Sequence, residues 1–105
     1  WHEVKNELKQ GAILVDVRNI DEFNNVHIQG SINLPLDTLR CGMNQLKQDS
    51  KLIVFCQSGV RSYNAERILK QAGYTVANLD GSFELYARMF PEELVYSTGG
   101  SNHEM

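Results

Sequence analysis

Lys51-Leu52-Ile53-Val54-Phe55-Cys56-Gln57-Ser58-Gly59-Val60-Arg61-Ser62 holds the pattern on which the fold turns. Its first part is a continuous apolar run, the signature of a strand covered on both faces. A polar loop follows from Cys56 to Val60. Beyond it, Ala65, Ile68, Leu69 and Ala72 mark one face of an amphipathic helix that Gly73 closes. The same alternation extends outward on both sides. Upstream, Trp1, Val4 and Leu8 share a helix face ending at Gly11, and residues 12–15 form a second short apolar run. Asn19 then caps a helix whose Ile20, Phe23 and Val26 face inward, with Asp21 and Glu22 in its first turn. Residues 31–34 read as a strand stopped by Pro35. Leu36, Leu39, Met43 and Leu46 continue at helical spacing, weakened at Gly42.

Downstream, residues 74–79 read as another strand and Asp80-Gly81-Ser82 as a turn. Phe83, Tyr86 and Met89 give a last helix that Pro91 interrupts, and Glu92 and Glu93 suit one further turn. Strands alternating with helices predict an α/β fold: a mainly parallel central sheet of four to five strands, flanked by helices on both faces. One domain is expected over residues 1–96, followed by a polar, frayed tail over 97–105. A start at Trp1 rather than Met suggests the C-terminal piece of something longer.

Composition narrows the function. The 105 residues include 10 Lys+Arg and 13 Asp+Glu, a formal charge of −3, which argues against a nucleic-acid binder. The longest apolar stretch falls far short of the ~20 residues that span a bilayer. Two cysteines are too few for a disulfide-stapled secreted domain, so free thiols in the cytoplasm are the simpler expectation. Scattered histidines and the lack of a Cys-x-x-Cys spacing speak against a metal site.

Ligands of parallel sheets bind beyond the carboxyl ends of the strands, and there this chain places Cys56. A thiol between a buried strand and a helix N-terminus lies near unpaired backbone N–H groups, which favour a thiolate or an oxyanion. Such cysteines have pKa values lowered to ~3.5–7.5. Gly59 permits positive φ, Arg61 adds a fixed charge with a fork of donors, and Ser62 is placed to cap the helix or turn its hydroxyl into the loop. The plainer reading is a buried structural cysteine; Gly59, Arg61 and Ser62 together favour chemistry over packing. Asp16 and Arg18 border the loop as supporting residues, with Arg18 spaced to pair with Glu22. His27 reads as a hydrogen-bonded loop residue. Cys41 reads as a semi-buried helix residue, with a resolving role in oxidation as the alternative.

Over almost its whole length the sequence resembles the rhodanese-like sulfurtransferase domains. The resemblance rests on Leu14-Val15-Asp16-Val17-Arg18 with Glu22-Phe23, on residues 27–35, on the Cys56 loop with Arg61 and Ser62, and on Gly81-Ser82-Phe83-Glu84-Leu85-Tyr86. Val26, Gln29, Ser31, Ser82 and Tyr86 depart from common family residues at packing and turn positions. The resemblance implies catalysis by Cys56 and Arg61, with Gln57, Ser58, Gly59, Val60 and Ser62 forming the loop that binds substrate. It implies small sulfur donors and thiol acceptors as substrates, and no cofactor in this domain. A regulatory binding module is the non-enzymatic alternative, and a cysteine phosphatase or arsenate reductase the enzymatic one. Only four residues separate Cys56 from Arg61, whereas the related phosphatases place five there. The loop and residues 68–74 are most similar to rhodanese domains fused behind flavoproteins of the coenzyme A disulfide reductase type, which implies a parent protein using FAD and coenzyme A.

Overall fold

The computed structural model describes residues 2–79 and 82–97. In chain order it contains α1 (His2–Lys9), β1 (Ile13–Asp16), α2 (Ile20–Asn25), β2 (Val26–Ile28), β3 (Ile32–Asn33), α3 (Leu39–Gly42), β4 (Lys51–Phe55), α4 (Val60–Gln71), β5 (Thr75–Asn78), α5 (Ser82–Met89) and β6 (Leu94–Tyr96). Short 3-10 turns lie at Leu36–Thr38, Met43–Gln45 and Pro91–Glu93. Four strands form a parallel sheet in the order β3-β1-β4-β5, as the alternating pattern predicts. Trp1, Asp80, Gly81 and residues 98–105 lie outside the described residues, so the Asp80-Gly81 turn and most of the expected tail do too.

The apolar runs are continuous because the central strands are covered twice. Successive side chains of a strand point to opposite faces. Val15, Leu52 and Val54 therefore pack on one face with Leu39, Ala65 and Leu69. Leu14, Ile53 and Phe55 pack on the other with Phe83 and Tyr86, joined by Val4 and Leu8 of α1. Register keeps each set together, with Leu14 opposite Ile53 and Val15 opposite Val54. Both layers exclude water, and each fully buried Leu, Ile, Val or Phe contributes ~1.5–3 kcal/mol. Among the described residues no helix is long and apolar enough to cross a membrane.

Several expectations are corrected. The helix begun by Asn19 is real and carries a capping box, in which Asn19 accepts from the Glu22 N–H and Glu22 accepts from the Asn19 N–H. It stops at Asn25, however. Val26 enters a strand that pairs antiparallel with β6, and Ile20 is 59% exposed rather than inward. The sequence reading overlooked this two-stranded ribbon because each strand is only three residues long. The Ser97 N–H donates to the Asn25 carbonyl at 2.9 Å, so the ribbon also holds the first residue expected to fray.

The helix expected from Leu36 to Leu46 is instead α3 between two 3-10 turns. Gly42 marks the break, for a Cβ there would lie 2.8 Å from Leu34 Cδ2. Leu39 and Leu46 of that stripe still reach the core. Cys41, expected to be semi-buried, is exposed on α3.

Candidate active site

The carboxyl end of β4 delivers Cys56 to the centre of the sheet edge. Neighbouring chain ends fix the loop: Leu79 N–H donates to the Val54 carbonyl (2.9 Å), Val17 N–H to Phe55 (3.0 Å) and Phe83 N–H to Cys56 (3.0 Å). Gly59 then takes φ +110°, a left-handed conformation that favours glycine, and α4 begins at Val60. This bend turns the backbone back onto the sulfur. Cys56 Sγ accepts the Gly59 N–H at 3.0 Å and the Ser62 N–H at 3.3 Å, and Ser62 Oγ lies 3.6 Å away. Ser62 does not cap the helix as one reading had it. It sits buried in the first turn of α4, its Oγ 3.1 Å from the Gly59 carbonyl and 2.9 Å from Asn78 Oδ1.

Asp16 and Arg18 form the frame behind the loop. Asp16 is 0% and Arg18 2% exposed. Arg18 grips the carboxylate with two guanidinium nitrogens, Nε to Oδ1 at 3.0 Å and Nη2 to Oδ2 at 2.8 Å. The same group donates to the Val26 carbonyl (2.7 Å) and to Gln57 Oε1 (3.3 Å), and stacks 4.0 Å from the Phe83 ring centroid. One buried pair thus ties β1, β2, the Cys56 loop and α5 together.

The expected Arg18–Glu22 pair does not form. Glu22 instead binds Arg61 through both carboxylate oxygens, at 2.6 and 3.1 Å, across the mouth of the loop. Arg61 is therefore not an unopposed charge in the loop. Ser58 and Val60 are exposed, Val60 at 72%, while Gln57 is half-buried. His27 is in β2, its Nδ1 donating to the Phe23 carbonyl and its ring stacked on Phe23 at 4.0 Å.

A family model for the rhodanese-like domain matches residues 1–89. The chain belongs to the rhodanese-like domain family. It is 35% identical over 88 residues to the thiosulfate sulfurtransferase GlpE of Pseudomonas syringae, covering 83% of each chain. It is 39% identical over 74 residues to the uncharacterized protein YqhL of Bacillus subtilis, with 70% of this chain matched to 59% of that one. Among solved structures, the reduced CoADR-RHD of Bacillus anthracis superimposes with a TM-score of 0.82 at 43% identity, over 91% of this chain and 17% of the other. A rhodanese-related protein of Thermoplasma volcanium gives a TM-score of 0.73 at 30% identity, over 80% and 84%. The chain thus spans somewhat over half of the first relative and about a sixth of the first structure.

In this rhodanese-like domain the environment of Cys56 favours the thiolate. Burial pushes the thiol pKa up, but the Ser62 hydroxyl and the N–H groups of Ser62, Gly59 and Ser58 outweigh it, leaving the pKa below the ordinary thiol value. The Ser62 hydroxyl has one proton. With a neutral thiol it donates to Asn78 or to the Gly59 carbonyl and accepts from the S–H. When the sulfur ionises, the hydroxyl turns its proton to Sγ. Alkylation of Cys56 in a Cys41→Ser background is therefore expected to persist below the ordinary midpoint of about pH 8.5 and to fade as pH falls through the lowered pKa. Ser62→Ala is expected to shift that midpoint upward; an unchanged midpoint, read by iodoacetamide kinetics, contradicts this role.

The sequence reading missed two participants. Glu22 is far from Arg61 in the chain, and its capping role already accounts for its presence. Asn78 carries a usable signal, since it ends a strand beside the loop strand, where ligand-facing residues cluster. Among the described residues, no cluster of three or more His, Cys, Asp or Glu is placed to hold a metal ion.

Proposed function

We propose that this rhodanese-like domain is a sulfurtransferase that carries a sulfane sulfur as a Cys56 persulfide. The observation that carries the proposal is the pair of backbone N–H groups, of Gly59 and Ser62, that donate to Sγ, with the Ser62 hydroxyl 3.6 Å away and able to turn its proton to the sulfur once it ionises. These groups favour the thiolate without a neighbouring general base, and a thiolate is the attacking form of cysteine. With thiosulfate, the thiolate attacks the outer sulfur; a new S–S bond forms as the old one breaks, and sulfite leaves with the electron pair. A low-molecular-weight persulfide donates in the same way, releasing its thiolate. The acceptor, a thiol or cyanide, then attacks the outer sulfur of the persulfide, and Cys56 leaves as thiolate. The loop donors that favoured the starting anion favour it again as leaving group. The relationship to a thiosulfate sulfurtransferase supports this chemistry.

Such a cycle is ping-pong. Steady-state rates with thiosulfate and cyanide are expected to give parallel double-reciprocal lines; intersecting lines, or no turnover, contradict the proposal. A binding module with an idle Cys56 is what absent turnover would indicate.

Arg61 steers anionic donors to the loop, moderated by Glu22. Arg61→Ala removes the cation and leaves the Glu22 carboxylate facing the thiolate. We expect kcat/KM for thiosulfate to fall about tenfold, ~1.4 kcal/mol of barrier, with a smaller loss for the persulfide of a small uncharged thiol, which carries less negative charge than the thiosulfate dianion and releases its thiolate as the Cys56 persulfide forms. Glu22→Gln in the Arg61→Ala background is expected to restore part of the thiosulfate rate, because the unpaired anion is gone. Equal losses with both donors would make Arg61 a structural residue.

The likeness to CoADR-RHD supports a further part of the reading, that the domain works fused to a flavoprotein reductase using FAD and coenzyme A. Tethering would raise the effective concentration of the reductase's thiol or persulfide product at Cys56.

A further inference from the structure

The two arginines nearest the sulfur are already matched by carboxylates, Arg18 by Asp16 and Arg61 by Glu22. Two others are not. Arg40 of α3 and Arg67 of α4 line opposite sides of a cleft of about 440 Å³, with Leu36, Asn64, Ile68 and Gln71. Both are exposed, and among the described residues neither has an ion-pair or hydrogen-bond partner. The carboxylate next to Arg67 in sequence, Glu66, is bound to Lys70 and Asn78. An unopposed pair of guanidinium groups in one cleft stands against the chain's net charge of −3. The cleft's size falls within the ~300–1,000 Å³ typical of small-molecule sites.

The cleft also lies on the same side of α4 as Arg61 of the catalytic loop. Asn64, Arg67, Ile68 and Gln71 follow Arg61 at spacings of three and four, which places all five on one side of α4. Arg67 lies about 9 Å along the helix from Arg61. Leu36 stands between the two, lining both this cleft and a separate small cavity that contains Arg61. Asp37 lines that small cavity and disfavours an anion beside Arg61, which leaves the Arg40–Arg67 cleft as the cationic one.

We propose that this cleft binds the remote phosphate end of a thiol or persulfide substrate whose sulfur enters the Cys56 loop. This rests on the sulfur-transfer reading above. The cleft assigns specificity to substrates that carry phosphate well away from their sulfur: Leu36 and Ile68 cover an uncharged linker, Asn64 and Gln71 offer hydrogen bonds to polar groups along it, and Arg40 and Arg67 meet the phosphate. Guanidinium groups suit that task through their planar, paired donors. Small donors such as thiosulfate do not reach the cleft and are indifferent to it.

The test uses the intact chain and the double variant Arg40→Gln/Arg67→Gln. In the binding arm, adenosine 3′,5′-bisphosphate is titrated calorimetrically. We expect the parent to bind with an affinity that falls as salt rises, and the variant to bind about tenfold or more weakly, a loss of ~1.4 kcal/mol or more. In the kinetic arm, sulfur delivery to coenzyme A is compared with delivery to pantetheine, which has the same thiol arm without phosphate. The parent is expected to prefer coenzyme A about tenfold in kcat/KM, and the variant to lose that preference while keeping its thiosulfate:cyanide rate. Equal bisphosphate affinity in parent and variant, or equal use of the two thiols by the parent, overturns the proposal. If the parent binds the bisphosphate through these arginines yet transfers no sulfur to any acceptor, the phosphate site stands and the sulfurtransferase reading fails.

Discussion

Replacing Cys56 by serine is expected to abolish sulfur transfer, lowering turnover by at least about a thousandfold, or ~4 kcal/mol of barrier. The loop is built to hold an anion already formed, not to extract a proton. The Gly59 and Ser62 N–H groups donate to the sulfur, the Ser62 hydroxyl beside it turns its proton there once the sulfur ionises, and none of them is a base. A serine hydroxyl in that place stays protonated and a poor nucleophile. The fold is expected to survive, because oxygen for sulfur is a small change at the end of a strand whose register is fixed by β1 and β5. Circular dichroism and a thermal melt separate lost chemistry from lost structure. Cys41→Ser, on exposed α3, is expected to keep most of the activity. A dead Cys41 variant beside an active Cys56 variant would place the chemistry elsewhere.

Asp16→Ala is expected to be the most destabilising single change near the site, costing ~3–5 kcal/mol. The loss does not come from the attraction of one ion pair, which desolvation largely offsets. It comes from the Arg18 guanidinium left behind, 2% exposed and without its carboxylate. Against a typical total stability of ~5–15 kcal/mol, such a change brings a small domain near its unfolding threshold. Replacing both residues by apolar side chains should cost less than Asp16→Ala alone, since no buried charge remains. Urea denaturation of the three proteins reads the difference. An Asp16→Ala loss under about 1 kcal/mol would show that the pair is solvated and contributes no more than a surface contact.

The parallel sheet was legible because its strands are buried on both faces. Residues 52–55 and 12–15 are uninterrupted apolar runs, a pattern that polar-faced strands do not make, and the helices between them repeat at three and four. The β2–β6 ribbon was not legible. Val26-His27-Ile28 and Leu94-Val95-Tyr96 are too short for periodicity, and they pair across most of the chain. The site was legible where its residues are close in sequence, as in the Cys56 loop and the Gly59 turn. Partner choice among charges was not. Arg18 had Asp16 two residues away and Glu22 four away, and helical spacing favoured Glu22. The strand end directs Arg18 back over Asp16, while Glu22 is turned towards Arg61 by its capping position. Long-range pairing of this kind depends on the assembled sheet.

Intact-mass spectrometry of the reduced protein after incubation with thiosulfate tests the central claim most directly. The account predicts a gain equal to one sulfur atom, localised by peptide mapping to Cys56, absent in Cys56→Ser and removed by cyanide with release of thiocyanate. A protein that stays unmodified, or that takes up sulfur on Cys41 alone, contradicts it.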